Sequence, residues 1–228
     1  PEQGSGLGGI KVAENTVQTL IRNNALAGFI GAAISMDGDD GFVLDNRVGT
    51  NANGAVPQVD WNRWCRPNAR YFNWFGGAGV EVRGKRNQVI GNRIAGLLWY
   101  SNDPENTPDT ALEVKGGDHL IEDNVIGIDG DGTEVGSCGR GLVVDAGFTR
   151  VLDNVVVRTA LEPFRMDGTQ TSINALYYEG NLSWDSTAPN YMEFGNLVPE
   201  ARKLFTPSVV LSINVAGGST TVQGAAHP

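Results

Sequence analysis

Residues 80–94 read Val80-Glu81-Val82-Arg83-Gly84-Lys85-Arg86-Asn87-Gln88-Val89-Ile90-Gly91-Asn92-Arg93-Ile94, and residues 112–126 repeat the same pattern. The shared rule is apolar-x-apolar, six residues, and then apolar-x-x-Asn-x-apolar. Alternating apolar residues predict half-buried strands, and the glycine after the first strand predicts a turn. A pattern that returns after about 20–50 residues is typical of structural units that stack on one another.

The same rule holds at other places along the chain. Two more full copies consist of Ile34, Met36, Val43, Asn46 and Val48, and of Leu142, Val144, Val151, Asn154 and Val156. A looser copy, with two extra residues in its turn, contains Ile10, Val12, Ile21, Asn24 and Leu26. Weaker copies are Phe164, Met166, Ile173 and Tyr178 (with Leu176 replacing the asparagine), Met192 and Phe194, and Ile213, Val215 and Val222. The pattern therefore predicts an all-β solenoid of about eight coils.

Composition limits the class of protein. The chain has 228 residues and a formal net charge of −9, which disfavours a nucleic-acid partner because phosphate binding needs a concentrated basic surface. No stretch has the pattern of a membrane span or a signal peptide. We expect residues 1–228 to form one domain, as a piece of a longer protein. The two cysteines, Cys65 and Cys138, are too few for a disulfide framework, and whether they pair is left open.

Three inserted loops interrupt the repeat. The strand starts Ile34 and Val80 are 46 residues apart, whereas Leu142 and Phe164 are 22 apart. The extra residues lie at about 50–78, 97–110 and 129–140, always after the Asn-x-apolar strand. Stacked coils would place these loops side by side, and insertions on one face of a solenoid commonly mark its binding face.

Runs such as Val89-Ile90-Gly91-Asn92-Arg93-Ile94 and Val151-Leu152-Asp153-Asn154-Val155-Val156 resemble the coils of right-handed parallel β-helix proteins. That superfamily includes pectate lyases, polygalacturonases, alginate lyases and epimerases, and phage tailspike depolymerases. The resemblance implies a single right-handed parallel β-helix with a sugar groove on the sheet beside the inserted loops. It does not imply one activity, because the polygalacturonase motifs Asn-Thr-Asp, Gly-His-Gly and Arg-Ile-Lys are absent.

The repeated asparagines are interpreted as structural. They are Asn46, Asn92, Asn124 and Asn154. Asparagine tolerates left-handed backbone angles, so it suits a sharp bend. Stacked asparagine side chains can also hydrogen-bond along the axis as a ladder.

The first strand of each unit points its second and fourth residues outward, which predicts two columns of side chains. The first column contains Lys11, Ser35, Glu81, Glu113, Val143, Arg165, Glu193 and Asn214. The second contains Ala13, Asp37, Arg83, Lys115, Asp145, Asp167, Gly195 and Ala216. The charged middle of these columns either keeps an exposed sheet soluble through cross-strand pairs or forms an acid/base site.

An acid/base site has two alternatives. Asp145 and Asp167 are predicted neighbours, about 5 Å apart as in retaining glycosidases, and close carboxylates raise one pKa. A lyase or epimerase would instead use Arg83, Lys115 or Arg165 as a base or to neutralise a uronate carboxylate. These five residues are the candidate catalytic residues. The candidate substrate-binding residues are Glu81, Glu113 and Glu193, together with the aromatic residues Trp61, Trp64, Trp74, Trp99 and Tyr100 of the first two inserted loops.

The aromatic loops have two interpretations. Their rings either stack on sugar faces in a glycan groove, or cap the solenoid and pack against a neighbouring chain. Asp129-Gly130-Asp131-Gly132 is similar to the start of a calcium loop but lacks the later ligands, so no cofactor is predicted and calcium is a weak alternative. Asn181-Leu182-Ser183 is a glycosylation sequon if the protein is secreted by a eukaryote.

These observations predict an extracellular or virion-surface domain, tailspike-like, that binds an acidic polysaccharide and in one version depolymerises it. If the chain is an enzyme, it is a polysaccharide lyase or a glycoside hydrolase. One alternative is a bacterial polysaccharide lyase or epimerase. The other is a structural shaft or adhesin without catalysis, which oligomerises, for example as a homotrimer.

Overall fold

The computed structural model describes residues 8–27, 32–50, 53, 78–97, 110–168, 177–186, 190–194, 209–216 and 219–225. Within this part of the chain every regular element is a strand, and the strands form three parallel sheets and one hairpin. The predicted all-β parallel β-helix is therefore confirmed. A right-handed coil stays a prediction, favoured by the general preference for right-handed connections between parallel strands. None of the described residues forms a helix long and apolar enough to cross a membrane.

Each of the first six described coils contributes one strand to each parallel sheet, and the seventh contributes a strand to sheet 1. Sheet 1 consists of β1 (Ile10–Val12), β4 (Ile34–Met36), β7 (Val80–Val82), β10 (Thr110–Gly117), β13 (Arg140–Gly147), β16 (Phe164–Gly168) and β19 (Tyr191–Phe194). Sheet 2 consists of β2 (Leu20–Arg22), β5 (Phe42–Leu44), β8 (Gln88–Ile90), β11 (Leu120–Glu122), β14 (Arg150–Leu152) and β17 (Tyr177–Glu179). Sheet 3 consists of β3 (Ala25–Leu26), β6 (Arg47–Val48), β9 (Arg93–Ile94), β12 (Val125–Ile126), β15 (Val155–Val157) and β18 (Leu182–Trp184).

The core lies inside the coil, where equivalent apolar residues stack in register. In sheet 1 one such column consists of Ile34, Val80, Leu112, Leu142 and Phe164, all fully buried. Sheet 2 and sheet 3 contribute Val89, Ile121 and Val151, and Ile94, Ile126 and Val156. The alternation that defines the sequence repeat is thus the alternation between inner and outer side chains.

An asparagine ladder connects the coils at the bend between sheet 2 and sheet 3. Its members are Asn24, Asn46, Asn92, Asn124, Asn154 and Asn181. From Asn46 onward, each Oδ1 atom accepts a hydrogen bond from the backbone N–H of the asparagine in the preceding coil, for example Asn92 N to Asn124 Oδ1 at 3.0 Å. The predicted structural role of these asparagines is confirmed, because five of the six are buried and bonded through the side chain.

The predicted backbone conformation at this bend is wrong in one respect. The left-handed residue is not the asparagine but the residue before it, which is Asn23, Asp45, Gly91, Asp123, Asp153 or Gly180, with φ between 52° and 69°. Asparagine is therefore required here for its amide, and the residue before it for the backbone angle.

The C-terminal coils depart from the predicted pattern. Tyr178 lies in sheet 2, with its ring edge-to-face on Phe164 at 5.7 Å, so Asn181 rather than Leu176 occupies the ladder position. The predicted last coil at residues 213–222 is instead part of an antiparallel hairpin of β20 (Val209–Ala216) and β21 (Ser219–Ala225). The described parallel sheets therefore contain seven, six and six strands.

Of the three inserted loops, only 129–140 is described throughout. This loop folds against the outer face of sheet 3. Arg158 donates a hydrogen bond to the Glu134 carbonyl at 3.0 Å, and Trp184 Nε1 donates to Glu134 Oε1 at 2.9 Å. Nearly all residues of the 50–78 and 97–110 loops lie outside the described part of the chain.

Candidate functional site

The outer face of sheet 1 carries the two predicted columns of charged side chains. The register of the first column is Lys11, Ser35, Glu81, Glu113, Val143 and Arg165, as predicted. In the second column Lys115 lies beside Asp145. Asp145 and Asp167 directly follow the paired residues Val144 and Met166 on adjacent strands.

The predicted position of Glu193 is wrong by two residues. Met192 lies beside Met166, so Tyr191 follows Arg165 in the first column and Glu193 follows Asp167 in the second. Gly195 occupies neither the predicted nor the observed position of the turn glycine, so the sequence does not set the register here. Asn214, predicted as the last member of the first column, lies in the antiparallel hairpin instead.

Glu81 and Glu113 form a carboxyl pair at the centre of this face. They are register neighbours on β7 and β10. Burial raises the pKa of Glu81 above 4.5, and Glu113 raises it further, while Arg83 and Lys115 act in the opposite direction. Glu81 therefore holds a proton more readily than an exposed glutamate does.

A cation on the same strand contacts each of these carboxylates. Arg83 pairs with Glu81, and its Nη1 atom also lies 3.7 Å from Asp37 Oδ1. Lys115 Nζ lies 2.9 Å from Glu113 Oε1. The spacing of two residues explains both pairs, since residues i and i+2 of a strand point to the same face.

The carboxylates and the cations differ in depth. The side chains of Asp37, Glu81 and Glu113 are 10%, 13% and 23% exposed. Those of Lys11, Arg83 and Lys115 are 72%, 48% and 43% exposed. The surface that this part of sheet 1 presents to solvent is therefore mainly cationic, although the chain as a whole is acidic.

Asp145 and Asp167 have different surroundings. Asp167 Oδ2 accepts a hydrogen bond from Arg165 Nε at 2.6 Å, and its Oδ1 atom is buried without a hydrogen-bond partner among the described residues. Asp145 is exposed and makes no hydrogen bond or ion pair within the described ranges. The close carboxyl pair is thus found at Glu81 and Glu113, two residues that the sequence assigns to substrate binding.

Sequence reasoning placed Asp37 on this face without its contacts and missed two further members of the charged network, Arg140 and Glu162. Asp37 lies between Lys11 and Arg83, at 3.8 Å from the lysine and 3.7 Å from the arginine. Arg140 Nε lies 2.9 Å from Glu162 Oε2, and Arg165 Nη1 lies 3.7 Å from Glu162 Oε1. Asp37 belongs to a predicted column, whereas Arg140 and Glu162 each precede a predicted strand by two residues and lie outside both columns, so the alternation does not identify them.

The described residues contain no group of three or more side chains arranged to hold a metal ion. The carboxylate of Asp129, in the calcium-like run, accepts hydrogen bonds at Oδ1 from the backbone N–H groups of Asp131 and Thr133, at 3.0 and 2.9 Å. The Asp129 carboxylate therefore closes a turn in its own loop, which accounts for the residue types of the calcium-like run 129–132. The predicted substrate-binding residues Trp61, Trp64, Trp74, Trp99 and Tyr100 lie outside the described residues.

The third inserted loop contains Cys138, which is disulfide-bonded. The sequence contains one other cysteine, Cys65, in a part of the chain that is not described. A disulfide is typical of proteins in an oxidising compartment.

No protein-family model, curated protein or solved structure matches the chain. A fold of this kind supports many functions, so the functional argument depends on the site itself.

Proposed function

We propose that the chain is an extracellular glycan-binding domain that recognises an acidic polysaccharide on the outer face of sheet 1. The depth difference carries this proposal, because Lys11, Arg83 and Lys115 extend beyond the carboxylates that hold them. Cations held in position by half-buried partners are preorganised for the carboxylates of a polymer, which lowers the entropic cost of binding. The disulfide at Cys138 supports an extracellular location.

The test is binding to immobilised polygalacturonate and alginate, with neutral dextran as the reference polymer. Lys115→Gln should weaken binding to the acidic polymers by about tenfold, since it removes a charged contact. Arg47→Gln is the matched control, because Arg47 is an exposed cation on sheet 3. Equal losses in the two variants would indicate a nonspecific charge effect, and absence of binding by the unmodified chain would overturn the proposal.

A second candidate function is cleavage of the bound polysaccharide. The raised pKa of Glu81 beside Glu113 is the observation that favours it, since a general acid must keep its proton near the working pH. In this candidate Glu81 protonates the glycosidic oxygen and Glu113 acts as the ionised carboxylate, as in two-carboxylate glycosidases.

New reducing ends without absorbance from unsaturated sugars would indicate hydrolysis. Glu81→Gln and Glu113→Gln should then each reduce the rate by about 100-fold or more. Asp145→Asn provides the comparison, because the sequence assigns the catalytic role to Asp145 and Asp167. Unsaturated products would instead indicate β-elimination, with Lys115, Arg83 or Arg165 as candidates for the base.

The alternative to glycan binding and to polysaccharide cleavage is an oligomerising structural shaft. The outer face of sheet 2 favours this alternative. The outward side chains there include the apolar residues Leu20, Phe42, Leu44, Ile90, Leu120 and Leu152. Contiguous apolar patches of this kind commonly mark protein interfaces. Sedimentation velocity distinguishes this candidate: a homotrimer that Ile90→Glu dissociates would support a shaft, and a monomer at micromolar concentration would count against it.

A further inference from the structure

The bend between sheet 1 and sheet 2 repeats one unusual backbone angle in five coils. The residues concerned are Gln18, Asp40, Arg86, Asp118 and Phe148, with φ between 53° and 60°. Each lies two residues before a strand of sheet 2. Left-handed angles are unfavourable for residues with a Cβ atom, and asparagine and aspartate tolerate them best. Phe148 is the one apolar residue at this position among the described coils.

Phe148 has no evident structural reason to occupy this position. Arg86, another bulky residue at the bend, is held by two hydrogen bonds to Asp40, at 2.7 and 2.8 Å. The side chain of Phe148 is 65% exposed, so it gains little from packing. A strained backbone combined with an exposed aromatic ring points to a functional constraint on the residue.

A second exposed ring and a cation lie close to Phe148 along the sheet. Arg150, two residues further on, is the register neighbour of Tyr177 in the next coil. Its guanidinium lies 6.0 Å from the centre of the Tyr177 ring, and Tyr177 is 52% exposed. Aromatic rings beside a fixed guanidinium offer both an apolar surface and a donor for a carboxylate.

This patch is continuous with the candidate site. Asp145, on the outer face of sheet 1, lies three residues before Phe148, which is at most about 10 Å of extended chain. A polymer that crosses sheet 1 at Lys115 and Asp145 would therefore meet Phe148 on leaving the sheet, at right angles to the coil axis.

We propose that Phe148, Arg150 and Tyr177 form a second contact site for the same acidic polysaccharide, with the rings against the apolar faces of sugars and Arg150 on a carboxylate. The inference rests on the proposed function and adds the path of the polymer, from sheet 1 around the bend to sheet 2. It also predicts that the left-handed backbone angle at Phe148 makes the folded protein less stable than a residue better suited to that angle would.

The test is Phe148→Asp, which introduces the residue type found at the same bend in Asp40 and Asp118. The melting temperature should rise by about 2–4 °C as the strain is relieved. The affinity for polygalacturonate or alginate should fall about fivefold to tenfold through loss of the ring. Tyr177→Ala should lower the affinity as well. Gln18→Asp is the matched control, because it relieves the same angle four coils away and should leave the affinity unchanged.

The possible results separate the two proposals. If Phe148→Asp and Tyr177→Ala bind as tightly as the unmodified chain while Lys115→Gln binds more weakly, the second contact site is overturned and the site on sheet 1 stands. If the unmodified chain binds neither acidic polymer, both are overturned. A loss of affinity in Gln18→Asp equal to that in Phe148→Asp would also overturn the second contact site.

Discussion

Glu81 and Glu113 lie side by side on adjacent strands of sheet 1, and the Glu113 carboxyl group helps to raise the pKa of Glu81. Burial is the larger cause of this raised pKa, and the neighbouring carboxyl group adds to it. Near neutral pH the ionised pair is therefore a source of instability that the fold retains. Structural ion pairs alone would not need two carboxylates side by side, which is why this pair is the best candidate for chemistry on the face.

Glu81→Gln should stabilise the protein at neutral pH and have little effect in acid. A folded-state pKa above the unfolded value of about 4.5 means that the folded protein holds the proton more tightly, so stability falls as pH rises through the folded pKa. Glutamine does not ionise, so the variant does not lose this stability as the pH rises. Arg83 still has Asp37 as an ion-pair partner. We expect a gain below about 1 kcal/mol at pH near 7, measured by urea unfolding.

Glu122→Gln is the control for that experiment. Glu122 points outward from sheet 2, away from the carboxyl pair, and should show no comparable gain. If Glu81→Gln changes the free energy of unfolding equally at pH near 4 and near 7, ionisation of Glu81 does not contribute to the pH dependence of stability.

His119 should make the protein less stable in mild acid. The ring is buried at 2% exposure, accepts a hydrogen bond from the Asn87 backbone N–H at 3.2 Å and lies 2.9 Å from the Lys115 carbonyl through Nε2. The ring is thus neutral, with its proton on Nε2. Burial lowers its pKa from 6.5, while the nearby Asp118 and Asp39 oppose this shift. The unfolded chain binds a proton that the folded one does not, so stability falls as pH drops below about 6.5.

Two substitutions distinguish the effect of protonating the His119 ring from the effect of the hydrogen bond that the ring accepts. His119→Asn should keep the acceptor, because Asn87 in the coil before already accepts the Gly41 N–H through Oδ1 at 2.6 Å. It should also reduce the pH dependence of the melting temperature between about pH 5 and 7. His119→Ala leaves the Asn87 N–H unpaired and should cost about 1–3 kcal/mol plus a cavity contribution at every pH. Equal pH profiles for the unmodified protein and His119→Asn would exclude the histidine as the cause.

Removal of a ladder asparagine should cost more in the middle of the solenoid than at its start. The Asn124 amide donates to the Val89 carbonyl at 2.8 Å and to Asn154 Oδ1 at 2.9 Å, and its Oδ1 accepts from Asn92. Asn124→Ala leaves several buried groups unpaired and should cost about 3 kcal/mol or more. Asn24→Ala, at the half-buried first position, should cost about 1 kcal/mol. Thermal unfolding of both variants checks the difference, and equal losses would mean that the ladder is not cooperative.

The coils before Phe164 were predictable because their strands are regularly spaced. The C-terminal coils were not, because the turns between their strands differ in length. The positions of Asn92 and Asn124 follow from a turn of constant length, so each apolar residue reaches its sheet. The coil that begins at Phe164 has a longer turn, which moves Tyr178 into sheet 2 and Asn181 into the ladder. Tyr178-Glu179-Gly180-Asn181 fits the apolar-x-x-Asn part of the repeat, so counting back from this asparagine, rather than forward from Phe164, would have found the longer turn.

The candidate site was predictable as columns but not as contacts. Strand register places Glu81 beside Glu113 and Lys115 beside Asp145, as the repeat predicts. Which carboxylates meet depends on side-chain rotamers, and a glutamate has one more rotatable bond than an aspartate with which to reach the adjacent strand. The greater depth of the carboxylates likewise arises from side-chain packing, which a pattern of residue types does not encode.

Asn181 should carry no glycan in the folded protein, although Asn181-Leu182-Ser183 is a sequon. Its side chain is 2% exposed, donates to the Val151 and Glu179 carbonyls at 2.8 and 2.9 Å, and accepts from Asn154. A glycan on the amide nitrogen would replace these bonds and needs space that the buried ladder does not offer. Secretion from a eukaryotic host, followed by mass spectrometry of the folded product, should therefore show an unmodified Asn181. Ser183→Ala removes the sequon and keeps the ladder, so it should raise the secreted yield if some chains are modified before they fold. A folded, secreted chain with a glycan on Asn181 would contradict the ladder as described.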